Sequence, residues 1–405
     1  MNDTCLAFHP LSFVPENDEV IVGRPDIDAY IVLPADGAAA LERMTQGMSP
    51  SETAVWYESE YGQALDIDDF LATLRELLFV REEDEAAPAL PARRVRFQLL
   101  GRAIFSPVAF ALYTSLAGLW LVAVVRHPQY LPRPRQMFFT GSILAVELVA
   151  VFGQIPWLFA HEAFHALAGR RLGLPSRLGV GTRLYFVVFE THMSGLLTLP
   201  RSRRYFCYLA GMLLDVLAVC GLGLAGFALR GATGTTGLIG RLCLALAFPI
   251  VTRLFYQFIL FLQTDLYYVF ATVLGCHDLH SASRAVVMNR LRRAVGMTRG
   301  LIDESDWSDR DLRVARVYSP LLALGVCVLV GVWIWAVVPI AWHMWTLLVE
   351  GLRLGAGDLR FWDRSAFVVL NLAQIGLLIS VSHRNRKRAG GRSSIAGFAR
   401  RSALT

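Results

Sequence analysis

Six long apolar segments constrain the fold of this chain more than any other sequence feature. They cover residues 104–125, 137–160, 206–229, 242–262, 319–342 and 366–381. A helix of about twenty apolar residues crosses a bilayer core of about 30 Å. Hydrophobic residues make up 55% of the 405-residue chain and charged residues only 18%, which excludes one ordinary soluble domain. The sequence therefore predicts a mainly α-helical, polytopic membrane protein with about six transmembrane helices.

The distribution of arginine predicts how these helices are oriented. Arginines crowd residues 93–102 before the first segment, the loop 284–316 after the fourth, and the motif HRNRKR after the sixth. Because basic loops stay on the cytoplasmic side, we expect a protein of the cell (inner or plasma) membrane with both termini in the cytoplasm. The basic loop RHPQYLPRPRQ lies outside in this topology, and an odd number of spans remains an alternative. No signal peptide is expected, since the first residues lack a basic segment followed by a sustained apolar stretch.

Residues 1–88 are predicted to form a small cytoplasmic α+β domain. The stretches EVIVG and AYIVLP are short strand candidates, and three helical stretches follow them. Ser49 and Glu52 have the spacing of a capping box, and the run DIDD places acids at the start of another helix. The remaining predicted parts are a basic linker (89–103), a membrane core (104–290), additional transmembrane helices (291–383) and a basic cytoplasmic tail (384–405).

The second apolar segment runs directly into the motif HEAFH. In a helix, His161 and His165 are four residues apart and project from one face, where two imidazoles can share a tetrahedral Zn²⁺. Glu162 is then placed to act as the general base for a water molecule. Three ionisable residues at the end of an apolar segment are costly in lipid, which favours a functional role. The motif predicts a zinc site for peptide-bond hydrolysis; the alternative is a hydrogen-bonded polar patch between helices.

A catalytic zinc site needs a third protein ligand and one open position. Asp265, in FLQTDLYYVF at the end of the fourth segment, offers a carboxylate from another helix. His192 and Glu190, in the intervening stretch FETHMSG, have equally suitable side chains. By residue type alone, the choice among these three residues stays open.

Two motifs together resemble the site-2 protease family of intramembrane zinc metallopeptidases, and within it the bacterial peptide zinc metalloprotease branch. They are HEAFHALAGRRLG and, several segments later, DLYYVFATVLGCHDLHSAS. The second motif keeps the aspartate and both tyrosines of that branch, but it has Leu266 where glycine is usual and His277 where proline is usual. The stretch RSRRYFCYLAGMLLDVLAV adds a weaker likeness. The resemblance implies that Asp265 is the third zinc ligand beside His161 and His165.

The N-terminal domain looks like a PqqD-like winged-helix domain. The likeness rests on the strand pair and on the hydrophobic pattern of the helical stretch that ends in DIDDFLATLRELLFV. Domains of this type bind leader peptides of ribosomally made natural products. The resemblance implies capture of a peptide by addition of a strand to a sheet edge. The alternative is a small soluble cap with no ligand.

Three further ionisable residues lie within the apolar segments. Glu147 precedes His161 by fourteen residues and lies on nearly the same helix face. It is expected to make an interhelical hydrogen bond. Asp215 and Arg253 have opposite charges in apolar surroundings, and we expect them to pair as structural scaffold.

Two segments near the motifs have a predicted local structure. The stretch GVGTRLYFVVFETHMSGLLTL is rich in β-branched and aromatic residues between glycines and is expected to form a short hairpin near the site. A second cluster has the residue types of a metal site, but its place in the resembled family turn favours a surface turn. Its members are Cys276, His277, Asp278 and His280.

Together these patterns predict a membrane-embedded zinc metallopeptidase acting on a peptide or a membrane-associated protein. The resemblances imply a role in maturation or export of a ribosomal peptide product, with an export or peptide-maturation system as partner. Two alternatives stay open: a non-catalytic zinc-binding membrane protein for peptide export or resistance, and a transporter without metal. Nucleic acid is not expected as a partner, because no recognition motif accompanies the arginines.

Overall fold

The computed structural model describes residues 5–17, 19–81, 95–183, 186–229, 231–276, 278–297, 299–304, 307–332, 334 and 338–389. This part of the chain is mainly helical, with a three-stranded sheet near the N-terminus and a two-stranded sheet further along. The predicted mainly α-helical class is thereby confirmed, and the small sheet lies within the predicted N-terminal domain.

The sheet of the N-terminal domain is antiparallel, with its strands in chain order. They are β1 (Ser12–Glu16), β2 (Glu19–Arg24) and β3 (Ala29–Pro34). β2 and β3 coincide with the two predicted strands. β1 is not evident from the sequence, because it is short and contains Pro15, which lacks the N–H that a central strand needs. At the sheet edge this missing donor is tolerated.

Three helices follow the sheet: α1 (Ala35–Thr45), α2 (Pro50–Tyr61) and α3 (Ile67–Glu76). The predicted capping box begins α2, because Glu52 N–H donates to Ser49 Oγ at 3.3 Å and Ser49 N–H donates to Glu52 Oε2 at 2.9 Å. Asp66 caps α3 by accepting from Asp69 N–H at 3.1 Å. The helices cover the sheet with an apolar core that includes Val22, Leu33, Leu41, Leu74 and Phe79.

The membrane part begins with a short helix, α4 (Gln98–Ile104), inside the predicted linker. Four longer stretches of the described chain are helical and apolar enough to cross a membrane. They are α5 (Pro107–Arg126), the pair α6 (Ile143–Val151) and α7 (Ile155–Arg171) joined by one 3₁₀ turn, α8 (Arg201–Ala228) and α9 (Gly234–Tyr256). Only 11% of the apolar window of α5 is buried, against 44% for α8, so α8 is the central helix.

The boundaries of two spans differ from the prediction. The second begins at Ile143 rather than at residue 137, because the stretch Pro134–Met137 forms a 3₁₀ turn. The fourth covers Gly234–Tyr256 rather than residues 242–262. There the chain leaves the helix, and a new one, α10 (Asp265–Leu274), begins. Apolar composition continues through this break, so hydropathy alone does not locate it.

The C-terminal part consists of further helices that pack back onto the core. They are α11 (Leu279–Ala294), α12 (Asp309–Val332), α13 (Val338–Arg353) and α14 (Leu359–Ala389). The fifth predicted span (319–342) is divided between the end of α12 and the start of α13, and its residues 333 and 335–337 lie outside the described residues. The sixth (366–381) lies within α14. Asp363 on α14 accepts from Ile143 N–H at 3.0 Å and so caps α6.

The predicted hairpin near the HEAFH motif is present. It consists of β4 (Ser176–Arg183) and β5 (Phe186–Met193), which pair antiparallel with Ser176 opposite Met193. The hairpin lies beside α7, where Arg170 Nε donates to Ser176 Oγ at 2.8 Å. The strand β5 therefore runs along the helix that carries the histidines.

Candidate metal centre

Three side chains from two distant parts of the chain, α7 and the start of α10, converge among the long apolar helices. His161 Nε2 lies 3.2 Å from His165 Nε2 and 3.2 Å from Asp265 Oδ2, and His165 Nε2 lies 3.4 Å from the same oxygen. Both histidines are buried, each 5% exposed. In the described part of the chain, these three residues form a group whose ligand atoms are close enough to hold one metal ion.

Helices α7 and α8 together create the space for the two imidazoles. The spacing of four residues returns His161 and His165 to one face of α7. On α8, a Cβ added to Gly211 would lie 2.3 Å from His165 Nε2 and 2.5 Å from His161 Nε2. Glycine is therefore needed there, because any side chain would fill the space between the imidazoles. His161 lies ten residues before the end of α7, which is roughly 15 Å at about 1.5 Å per residue.

The second nitrogen of each imidazole contacts an oxygen that accepts a hydrogen bond. His165 Nδ1 donates to the carbonyl oxygen of Cys207 at 2.8 Å, and a carbonyl can only accept. His161 Nδ1 lies 3.0 Å from Asp215 Oδ2, which also accepts from Arg253 Nε at 2.9 Å. With protons at both Nδ1 atoms, the two Nε2 atoms are the ones that can bind a metal ion.

Three atoms with lone pairs therefore face one another at the centre of the site. Such acceptors repel unless a cation or a proton lies among them. Tetrahedral ligands about 2.0–2.1 Å from a zinc ion lie about 3.3 Å apart, and the observed separations are 3.2, 3.2 and 3.4 Å. The donor set fits a tetrahedral metal ion that keeps one coordination position open.

Asp265 is the first residue of α10, and Gln257 fixes its position. Asp265 N–H donates to Gln257 Oε1 at 3.0 Å, and Gln257 Nε2 donates to Asp265 Oδ2 at 2.9 Å. Leu266, where the resembled family has glycine, has a helical backbone. The positive φ in this stretch occurs at Gln263 (54°). The departure from glycine is therefore compatible with the backbone that carries Asp265.

Glu162 lines the same cavity as the three converging side chains. The cavity has a volume of about 480 Å³. The hydroxyl of Thr191 on β5 lies 2.8 Å from Glu162 Oε2 and 2.9 Å from the backbone oxygen of Glu162. Tyr208 and Tyr268 form part of the wall and stack with ring centroids 5.6 Å apart. A carboxylate suited to proton transfer and the candidate metal ligands thus share one cavity.

Comparisons with known protein families, with curated proteins and with solved structures find no match for this chain. A function for the site is therefore argued from its residues and their geometry. The likeness to the site-2 protease family stays a resemblance of motifs.

The two alternative third ligands lie in the cavity wall, away from the convergence point. His192 and Glu190 pair with each other through His192 Nε2 and Glu190 Oε1 at 3.2 Å. The His192 side chain is 63% exposed. Neither residue belongs to the group that can hold a metal ion in the described part of the chain. The fold brings Asp265, rather than these two, to the histidines.

The turn that carries the Cys276 cluster is only partly at the surface, because Cys276 is buried while Asp278 and His280 are half-buried. Cys276 is 7% exposed and the neighbouring Leu279 is fully buried. Both pack with Leu312 and Tyr318 of α12. Asp278 accepts a hydrogen bond from Trp307 Nε1 at 3.2 Å. His277 lies outside the described residues. Among those described, neither Cys276 nor Asp278 nor His280 belongs to a metal-holding group.

Several residues that organise the site are not evident from the sequence. The expected pair of Asp215 and Arg253 is present, but Asp215 also positions His161, so its role exceeds scaffold. Metal-bound histidines usually donate their second N–H to a carboxylate or a carbonyl. The presence of an acid, Asp215, in the next apolar span after HEAFH was therefore a sequence signal for this contact. Gln257 and Thr191 carry no such signal.

Glu147 makes the expected interhelical contact, with Gln374 Nε2 at 3.5 Å from its Oε1.

Replacing Asp215 by asparagine is expected to weaken zinc binding by about 10–100-fold, the usual effect of losing a partner that orients a metal ligand. The carboxylate holds the Nδ1–H of His161 and is itself held by Arg253. Competition with a zinc-sensitive dye would measure the affinity. Asp363→Asn is the matched control, because Asp363 contacts the start of α6 and no histidine. Equal losses in both variants would contradict the role of Asp215.

The N-terminal domain is attached beside the opening of the cavity. Glu16, at the end of β1, is 6% exposed and pairs with Arg204 at 2.6 Å and Arg201 at 2.9 Å at the start of α8. In the turn between β2 and β3, Asp28 accepts from Gly195 N–H at 3.2 Å and lines the cavity. The Tyr30 hydroxyl donates to Asp28 at 3.0 Å, and burial raises the pKa of Tyr30 above its usual value. The domain therefore contributes to the wall of the site.

Proposed function

We propose that this chain is a membrane-embedded zinc metallopeptidase that hydrolyses a peptide bond in a peptide or a membrane-associated protein. The observation that carries the proposal is the convergence of two imidazole lone pairs and one carboxylate oxygen within 3.4 Å. Glu162 lines the same cavity. The motif resemblance to the site-2 protease family adds support from the sequence.

His161, His165 and Asp265 are the residues that would hold zinc. Two nitrogens and one carboxylate oxygen are a donor set that zinc accepts in catalytic sites. When bound, zinc supplies Lewis acidity toward the scissile carbonyl and lowers the pKa of a water molecule. Asp215 and the Cys207 carbonyl keep both imidazoles in the tautomer that leaves Nε2 available.

Glu162 is the residue that would move protons during hydrolysis. Thr191 fixes one carboxylate oxygen at 2.8 Å, which orients the group toward the cavity. Glu162 would accept a proton from the attacking water and then deliver it to the leaving amine. General acid–base catalysis of this kind requires a positioned carboxylate, and the hydrogen bond from β5 provides the positioning.

The N-terminal domain would bring the substrate to the cavity. Asp28 of that domain lines the cavity, and Glu16 anchors the domain on α8. The PqqD-like resemblance supports capture of a leader peptide, which suits maturation or export of a ribosomal peptide product. In the proposed topology the domain and the C-terminal tail face the cytoplasm of a cell carrying this chain in its inner or plasma membrane.

The proposal predicts zinc-dependent cleavage by the purified full-length chain. A peptide library in detergent would be incubated with the protein, and new peptide termini would be identified by mass spectrometry. We expect cleavage to stop with EDTA, to continue with zinc-saturated EDTA, and to return when zinc is added back. Cleavage that persists in EDTA after dialysis, or no cleavage by the zinc-loaded protein, would contradict a zinc peptidase.

A further inference from the structure

A second cavity lies at the end of α7 and the start of α8, apart from the candidate metal centre. It has a volume of about 430 Å³ and is lined by three arginines with a serine, a leucine and a phenylalanine. Arg102 comes from α4, Arg171 from the last turn of α7, and Arg203 from the first turn of α8. Three separate helices thus direct positive charge into one space.

The three helices that carry these arginines pack against one another, α4 on α7 and α7 on α8. A Cβ added to Gly101 would lie 2.5 Å from the carbonyl oxygen of Leu167, so α4 lies directly against α7. The Arg171 guanidinium lies 5.1 Å from the centre of the Phe206 ring, which fixes it beside α8. The backbone of α4 and the side chain of Arg171 are therefore held beside the cavity, and the exposed Arg102 and Arg203 complete its lining.

These three arginines contrast with their neighbours in the stretch RSRR. Arg201 and Arg204 are paired with Glu16. Within the described residues, no carboxylate pairs with Arg102, Arg171 or Arg203. The N-terminus of α8 adds further positive potential, because the residue before it, Pro200, gives no side-chain cap. Like charges gathered this way repel unless an anion is shared among them.

The surroundings of the cavity indicate where such an anion comes from. Leu99 and Leu100 on α4 are 78% and 47% exposed, directly before Arg102. Exposed apolar side chains beside basic ones are typical of a helix that lies in the interface of a bilayer. The end of α7 and the start of α8 are also the ends of two stretches that are long and apolar enough to cross a membrane. In a chain that crosses a bilayer through these stretches, the cavity opens at the level of lipid headgroups.

We propose that this cavity binds a phosphate group, and that the phosphate belongs to an anionic lipid headgroup. Guanidinium groups bind phosphate oxygens in a bidentate manner, which suits a trio of arginines. Basic pockets between transmembrane helices are a known physical solution for holding such headgroups. Occupation of the site would connect α4, α7 and α8 at the end of the helix that carries both histidines.

The test is a lipid titration of the full-length chain in neutral detergent, followed by native mass spectrometry. The probes are phosphatidylglycerol, phosphatidylcholine and inorganic phosphate. We expect phosphatidylglycerol to bind preferentially. Arg102→Gln and Arg203→Gln should each weaken phosphatidylglycerol binding about fivefold, which corresponds to the loss of one basic residue near an anionic surface. Arg102→Lys keeps the charge and should weaken binding less. The matched control is Arg293→Gln, an exposed arginine of α11 outside the cavity.

Four outcomes decide the proposal. Loss of phosphatidylglycerol binding in the two cavity variants but not in Arg293→Gln supports it. Equal binding in all variants overturns it. Binding of inorganic phosphate without preference for phosphatidylglycerol keeps a phosphate site but overturns the lipid source. A further variant converts the acidic run Glu82, Glu83, Asp84 and Glu85 to amides. If lipid binds only to this variant, the acidic run competes with lipid for the cavity, which also overturns the proposal.

Discussion

Replacing Glu162 by glutamine is expected to abolish peptide hydrolysis while leaving zinc bound. The amide keeps the shape of the side chain and its contact with Thr191, but it does not accept the proton of the attacking water. Loss of a positioned general base lowers rates by about 10²–10⁴-fold. Cleavage of the peptide library, followed as new termini per hour, would measure the effect, with zinc content determined on the same samples.

Glu190→Gln is the matched control for this experiment. Glu190 is a second carboxylate in the wall of the same cavity, paired with His192. Thr191 positions the carboxylate of Glu162 but not that of Glu190. Removing the charge of Glu190 should therefore change the cleavage rate by less than about fivefold, which corresponds to the loss of one partly exposed ion pair. Similar losses in the two variants would show that Glu162 contributes only to the charge of the cavity.

Zinc binding is expected to disappear in His165→Ala and in Asp265→Ala. Each change removes one of three donor atoms that converge within 3.4 Å. Losing a residue that only orients a metal ligand lowers metal affinity by up to about 100-fold. Losing a ligand itself should lower zinc affinity by more than about 100-fold. Dye competition or metal analysis after gel filtration would measure it. In Asp265→Ala, the Gln257 amide loses its acceptor as well, so thermal stability should be recorded alongside.

His192→Ala separates this prediction from a general effect of losing histidines near the cavity. His192 is an exposed imidazole that lines the cavity without joining the donor set. Its removal should leave zinc affinity unchanged within about twofold. If His192→Ala loses zinc while Asp265→Ala retains it, the third ligand comes from the FETHMSG stretch, and the assignment of Asp265 is wrong.

The sequence predicted those parts of the site that lie close together along one helix. HEAFH has the helical spacing that puts His161 and His165 on one face, and in the structure their Nε2 atoms lie 3.2 Å apart. The hairpin beside α7 was also predicted, because β-branched residues between glycines mark it locally. Local signals of this kind depend on neighbouring residues and need no knowledge of how helices pack.

Residues that reach the site across the fold could not be located in this way. Residue type left Asp265, His192 and Glu190 equivalent, and only the packing of α10 against α8, which brings Asp265 to the histidines, separates them. Asp215 was expected to neutralise Arg253, but its contact with His161 depends on the rotation of α8. The approach of Asp28 to the cavity depends on how the N-terminal domain docks on α8 through Glu16. None of these three relationships leaves a periodic or compositional trace.

X-ray absorption at the zinc edge of the wild-type protein tests the central claim most directly. We expect about one zinc per chain, with nitrogen and oxygen neighbours at about 2.0–2.2 Å and an imidazole scattering pattern from two histidines. Sulfur neighbours at about 2.3 Å would place the metal at cysteines instead. Protein that takes up no zinc under these conditions would contradict the account.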